Sequence, residues 1–257
     1  MFLTYKNASI FYTDQGQGSP IILLHGFLEN SQMWDFAITA LAEKHRIICI
    51  DLPGHGKSDS LGYVHEMSMM SDVIFNIIGI LQLNDITIVG HSMGGYVGCA
   101  FAKAYPEKLK ALCLLNSTPL PDDEERKTLR ARAIDMAKTK YKQLVQMSFT
   151  NLFDTQSRLL YKDDIKIALQ DALKTPVQGF IAAHAGMAKR EDYSKVWLQG
   201  NFKKGFILGE DDWIIDVNVI TSKYLQEHTC LSILPLGHMS HITNPSSVLE
   251  KVQLFID

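Results

Sequence analysis

The sequence predicts an α/β fold: a mostly parallel β-sheet covered by helices on both faces, with a helical segment inserted late in the chain. Three observations predict it. Short, continuously apolar segments alternate with amphipathic segments of helix length, and strands apolar on both sides belong in a sheet buried on both faces. That alternation stops between positions 117 and 200, where helical periodicity runs on with no strand pattern. An apolar, β-branched run, Ile86 to Val89, passes into Gly90-His-Ser-Met-Gly94 and then into helix-forming residues.

Taken in order, residues 1–14 read as two short antiparallel strands. Residues 15–19 form a turn whose Gly16-Gln-Gly18 lacks the following helix that a dinucleotide site requires. Strands are expected at 20–25, 46–51, 86–90, 111–116, 205–209 and 230–234. Helices are expected at 31–44, 66–82, 93–105, 217–227 and 246–256. Pro119 and Pro121 break the alternation. Asp122, Asp123, Glu124 and Glu125 then place acidic residues in a first helical turn, where the macrodipole favours them. Helical periodicity runs through 146 and resumes at 163–173 and 176–188. The expected organisation is a core of residues 1–118 and 200–257, with 119–199 as a helical cap, a lid that excludes water and shapes a pocket.

Composition narrows the function. The chain of 257 residues is long enough for one large core, and its net charge of −3 lacks the basic footprint of a nucleic-acid binder. No apolar run approaches the roughly 20 residues that span a bilayer, and residues 1–6 enter strand-like alternation without a signal-peptide pattern. A cytoplasmic protein is expected. Cys49, Cys99, Cys113 and Cys230 sit in apolar segments without C-x-x-C spacing, so all four are expected as buried, reduced thiols and no zinc site is expected.

Ser92 carries the chemistry. In a sharp strand-to-helix turn, side chains two before and two after the apex collide, and Gly90 and Gly94 meet that demand. A serine nucleophile needs a base, and the base needs an orienting carboxylate. Two later turns follow predicted strands, at the edge where open α/β sheets place their sites. One holds Glu210, Asp211, Asp212 and Trp213; the other holds Leu236, Gly237, His238 and Met239. His238, directly after a glycine, is the candidate base, and His241 is its competitor. The strand at 20–25 ends in His25-Gly-Phe27, so the backbone N–H groups of Phe27 and Met93 are the candidate oxyanion donors.

Five stretches together resemble the α/β-hydrolase family, in its esterase-like group of carboxylesterases, enol-lactone hydrolases, C–C hydrolases and cofactor-free haloperoxidases. They are Leu23 to Phe27, Asp51 to Ser58, Val89 to Gly95, Gly209 to Asp212, and Gly237-His238, in family order over nearly the whole chain. The resemblance implies a triad of Ser92, Asp212 and His238 with no metal or organic cofactor, acting on a small or medium acyl substrate, foremost a carboxylic ester. Lactone and C–C bond hydrolysis, or a ligand receptor with little turnover, are the alternatives. The family's acid usually stands three residues after the glycine closing its strand, which gives Asp212; Asp211 and Asp216 are close enough to substitute. Asp216 stands where the family often has proline.

The remaining residues carry milder expectations. Gly56-Lys-Ser58 lacks the glycine that a phosphate loop needs at position 51, which is Asp51, so 51–58 is expected to be a tight loop beside the site. His25, His55 and His91 are expected to be structural, and His45, His65, His184 and His228 to have no special role. Phe27, Leu28, Met93, Met147, Phe149, Met187, Trp213 and Met239 are the expected pocket lining. Arg190 is expected to anchor the cap through Asp192 or an acid of the core.

Overall fold

The computed structural model describes residues 1–235 and 237–257; Leu236, in the expected turn before His238, lies outside the described residues. The chain runs β1 (Phe2–Tyr5), β2 (Ala8–Gln15), β3 (Ser19–Leu24), α1 (Asp35–Leu41), β4 (His45–Ile50), α2 (Met67–Ile80), β5 (Ile86–His91), α3 (Met93–Ala104) and β6 (Leu109–Leu115). Five helices follow: α4 (Glu124–Thr150), α5 (Thr155–Leu160), α6 (Lys162–Ala172), α7 (Val177–Ala188) and α8 (Ser194–Gln199). The chain closes with β7 (Lys203–Gly209), α9 (Val217–Tyr224), β8 (Thr229–Leu234), α10 (Ser240–Thr243) and α11 (Pro245–Ile256).

One eight-stranded sheet has the order β1-β2-β4-β3-β5-β6-β7-β8. The β1–β2 and β2–β4 pairs are antiparallel, and every later pair is parallel. The continuously apolar strands supply both faces of this sheet. Ile22, Leu24, Ile48, Ile50, Leu112 and Leu114 point into one core, and their neighbours Ile21, Leu23, Ile47, Cys49, Ala111 and Cys113 into the other. This is the two-residue alternation of a strand, visible in an unbroken apolar run because both faces are covered. Helices α2, α3, α8 and α9 cover the first core through residues such as Met70, Tyr96, Trp197 and Ile220. Helices α1 and α11 cover the second through Ile38, Leu41, Val248 and Val252. Each side chain so buried stabilises the fold by about 1.5–3 kcal/mol relative to an exposed one.

The five helices between β6 and β7 have a third core, in which Leu144, Val145, Phe149, Ile165 and Phe180 meet Leu28 and Met239 from the strand-end loops. Helix α4 begins on an Asp123 cap that accepts from the Arg126 N–H, and it bends at Lys140, whose backbone leaves helical geometry. Helix α7 approaches the loop after β4 at backbone distance: a Cβ on Gly186 would collide with the His65 carbonyl, and one on Gly179 with the Gly54 carbonyl.

Sequence and structure differ here in several respects: the short helices α5, α8 and α10 were not expected. The helix expected at 31–44 opens as a single 3-10 turn, Ser31–Trp34, before α1. Cys230 is exposed, while the other three thiols are buried as expected. It lies on β8, the last strand of the sheet, whose residues before Leu234 are all half-buried or exposed. An apolar strand pattern does not reveal whether its strand lies at an edge.

Candidate active site

Ser92 stands between the end of β5 and the start of α3 with φ 48° and ψ −113°. An L residue adopts this backbone only under strain of about 1–3 kcal/mol. The turn is held from outside: the Ser92 N–H donates to the Leu115 carbonyl at 3.0 Å, and Ser117 Oγ donates to the Ser92 carbonyl at 2.7 Å. A Cβ on Gly90 would lie 2.5 Å from the Gly94 carbonyl carbon, and one on Gly94 2.6 Å from the Leu24 carbonyl oxygen. The flanking glycines are thus required by close approach, as the spacing predicts.

His238 Nε2 lies 3.0 Å from Ser92 Oγ, and its Nδ1 lies 2.8 Å from Asp212 Oδ2. Asp212 is buried and fully engaged. Its Oδ1 accepts from the Ile214 and Ile215 N–H groups at 2.9 and 3.0 Å, and its Oδ2 also accepts from Asn116 Nδ2 at 3.0 Å. Burial by itself would raise the pKa of Asp212. The His238 charge and these hydrogen bonds outweigh it and hold the carboxyl below its ordinary value. The two competing acids do other things: Asp211 is exposed, and Asp216 caps α9 by accepting from the Asn218 and Val219 N–H groups. His241 faces away from Ser92, with Nε2 2.8 Å from Glu29 Oε1.

Three non-glycine residues with positive φ follow strand ends here: Leu28 (64°) after β3, Ser92 after β5 and Asn116 (44°) after β6. Sequence reasoning missed Asn116 and Glu29. Asn116 bridges the acid and the base's loop, donating to Asp212 and accepting from Ser240 Oγ at 2.8 Å. Asparagine after an apolar strand is the signal that was available, since it tolerates the left-handed region. Glu29 is buried, and its Oε2 accepts from the Gly26 N–H and from His91 Nδ1, both at 2.7 Å. The second nitrogen of His91 donates to the His238 carbonyl at 3.1 Å. One carboxylate therefore ties together the loop after β3, the end of β5 and the loop bearing His238. Burial opposes both charges of the Glu29–His91 pair, but their mutual attraction prevails. Glu29 is held well below the carboxylate range, and His91 is raised. Glu29, His91 and His241 are also the described residues grouped closely enough to hold a metal ion, but Glu29 Oε2 already accepts twice and both His91 nitrogens face acceptors.

His25, His65 and Asp51 brace the loop after β4. His25 Nε2 accepts from the Leu52 N–H at 2.8 Å, and His65 Nε2 from the Leu61 N–H at 2.9 Å. Asp51 accepts from the Ser31 and Lys57 N–H groups at 2.7 and 2.8 Å, which closes the 51–58 loop. Arg190 pairs with Asp122 at 2.6 Å, whereas Asp192 caps the turn at Ser194. Its partner thus lies at the start of the inserted segment, where the sequence reading looked to Asp192 or the core.

A cavity of about 110 Å³ opens beside Ser92 and His238. Phe27, Met187 and Met239, three of the expected lining residues, border it, joined by Tyr96, Leu152, Ile214 and Arg130. The Phe27 and Met93 N–H groups have no acceptor among the described residues. The other expected lining residues lie elsewhere. Met93 is buried in the core and does not line the cavity. Leu28 and Phe149 are packed in the helical core and border a separate cleft of about 300 Å³ that reaches neither Ser92 nor His238. Met147 is 50% exposed on the outer side of α4, and Trp213 is 65% exposed, donating from Nε1 to the Asn151 carbonyl. An apolar residue near a reactive one in sequence points wherever its own backbone turns it.

Residues 19–245 match the family model described as alpha/beta hydrolase fold. The (E)-2-((N-methylformamido)methylene)succinate hydrolase of Acinetobacter baylyi is 22% identical over 257 residues, covering 98% of this chain and 95% of its own. Other curated relatives align only in part. An uncharacterized protein of Mycobacterium tuberculosis is 32% identical over 108 residues, so this chain spans about a third of its length. Among solved structures, a malate-bound thermophilic esterase from Thermogutta terrifontis superposes with a TM-score of 0.92 at 25% identity, covering 100% of this chain and 97% of that one. The enol-lactonase of Burkholderia xenovorans superposes at 0.91 with 17% identity, covering 100% and 99%.

Proposed function

This chain belongs to the alpha/beta hydrolase fold family, and we propose that it is a serine hydrolase that cleaves a small carboxylic ester through an acyl-enzyme on Ser92. The observation that carries the proposal is one imidazole bridging a hydroxyl and a buried carboxylate. His238 lies 3.0 Å from Ser92 Oγ and 2.8 Å from Asp212, at the wall of a cavity.

As Ser92 Oγ bonds to the ester carbonyl carbon, its proton passes to His238 Nε2. Asp212, held ionised, keeps the Nδ1 proton in place and stabilises the imidazolium. The carbonyl oxygen becomes an oxyanion, and the Phe27 and Met93 N–H groups donate to it; one such donor is worth about 10²–10³ in rate. The tetrahedral intermediate collapses, the carbon–alkoxy bond breaks, and the alcohol departs with the proton from His238. Water then adds to the acyl carbon by the same route, losing its proton to His238 and releasing the carboxylic acid and free Ser92. Helices α4–α8 act as the lid of this site. A lactone would be opened by the same steps, with its alcohol remaining tethered to the acid.

Labelling by a fluorophosphonate probe tests the nucleophile. The wild type is expected to label and to cleave short p-nitrophenyl esters, and Ser92→Ala to do neither. Equal labelling of the two proteins would overturn the assignment.

A further inference from the structure

Besides His91, which is tied to Glu29, the cavity beside Ser92 holds one charged group that ester hydrolysis leaves idle. Its other walls are aromatic or aliphatic, apart from Ser92, His238 and His91. That group is Arg130, near the start of α4. A guanidinium carries five N–H donors arranged in two forks. The fork formed by Nε and Nη2 is taken by Asp122. The other fork, Nη1 with the second hydrogen of Nη2, has no acceptor among the described residues.

The neighbouring charges do not cancel this cation. Asp122 is fully buried and is shared with Arg190, so two guanidiniums face one carboxylate, leaving one positive charge in excess. Arg190 is not the free one: it is buried, lies 4.0 Å above the Tyr96 ring, and donates from Nε to the Leu120 carbonyl. Arg130 keeps 16% of its side chain exposed, and that side chain lines the cavity. An uncompensated cation in an apolar wall is costly, and a planar fork matches a carboxylate in charge and shape. The cavity volume of about 110 Å³ is the share of roughly four water molecules in the liquid, which suits a short acyl chain.

We propose that the site selects acyl substrates bearing a second, free carboxylate, such as half-esters of short dicarboxylic acids, and that the open fork of Arg130 holds that carboxylate. The proposal rests on the ester-hydrolase reading for the place of the reacting carbonyl and adds the substrate class. Arg130 touches the substrate away from the bond that breaks, so it acts on binding and leaves the chemistry to Ser92.

Methyl hydrogen succinate and methyl 4-methylpentanoate test this, because the second replaces the carboxylate with an uncharged isopropyl group of similar size and branching. Released acid is followed by pH-stat for the wild type, Arg130→Gln and Arg130→Lys, and kcat/KM for the half-ester is divided by that for the neutral ester. This ratio is insensitive to the fraction of protein that folds. The wild type is expected to favour the half-ester, and Arg130→Gln to lower the ratio about 10- to 100-fold through KM, the worth of a charge-assisted hydrogen bond. Arg130→Lys keeps the charge without the fork and is expected to fall between. A ratio that drops less than about threefold in both variants, or a wild type that favours the neutral ester, overturns the proposal. Succinate binding measured by calorimetry keeps the two readings apart. If the wild type cleaves neither ester, the hydrolase reading fails. The anchor then stands or falls on whether succinate binds the wild type at least about tenfold more tightly than Arg130→Gln.

Discussion

Asp212 at the strand ends and two polar groups of the helices above differ in how fully they are bonded. At the strand ends, Asp212 accepts four hydrogen bonds, and Glu29 joins three loops. In the helices, His184 of α7 is buried among Phe27 and Phe180 with neither ring nitrogen bonded among the described residues, and Arg130 has one fork without an acceptor among them. The difference teaches that a carboxylate set among strand-end loops meets many donors, whereas a polar group packed against aromatic rings on a helix meets few.

Asp212→Asn gives the largest expected effect on this contrast. The imidazole would lose its orienting charge, and kcat on a short ester should fall about 10⁴-fold while the fold persists. A loss below tenfold would mean that the tight bonding of Asp212 is structural only.

Glu29→Gln comes next. Removing one partner of a buried ion pair leaves His91 uncompensated, and a loss of about 3 kcal/mol in urea unfolding is expected, together with slower turnover as the Gly26 and His238 loops lose their common tie. Stability unchanged within 0.5 kcal/mol, on the order of a surface substitution, would remove Glu29 from the centre of the strand-end network.

The smallest effect concerns the helices and depends on pH. Burial first, and then the charge of Arg130, pushes the His184 ring down to about 3, and burial likewise pushes His55 to about 3 and His65 to about 4. Below the ordinary histidine value of about 6.5, the unfolded chain takes up protons that the folded chain refuses. The part of the stability that depends on these three rings is therefore complete above that value and falls as the pH drops toward these folded values, while the raised His91 acts in the opposite sense. For His184 alone, the loss at pH 5 is about 2 kcal/mol, from about 1.4 kcal/mol per pH unit. The depressed carboxyls of Glu29 and Asp212 add their loss only at lower pH, below the ordinary carboxylate range of about 4. His184→Phe fills the same apolar site without a titrating ring. Its unfolding free energy should decline by about 2 kcal/mol less between pH 7 and pH 5, and parallel pH profiles for variant and wild type would refute the assignment.

Much of this was legible in the sequence. The six later strands lie within two residues of their expected places, because both-sided burial writes itself as unbroken apolar runs. The expectation of Ser92 and His238 rested on glycine-marked turns after strands and that of Asp212 on the family resemblance, and the structure brings the three side chains within hydrogen-bonding distance. Glu29 and Asn116 were not legible, since no motif marks them as reactive and what they bond to is set by packing alone, with partners 62 and 96 residues away. Met147 and Trp213 misled, because proximity in sequence does not fix the side to which a helix or loop residue turns.

Local sterics and periodicity act over a few residues. They were enough for the sequence by itself to determine strand against helix, the glycine-bounded turn and the residue types able to do chemistry. Which of those residues meet was decided by the tertiary structure alone, through the strand order β3-β5-β6-β7-β8 and the docking of α4 and α7. Contacts across tens of residues depend on how whole elements pack, and no single stretch of chain carries that information.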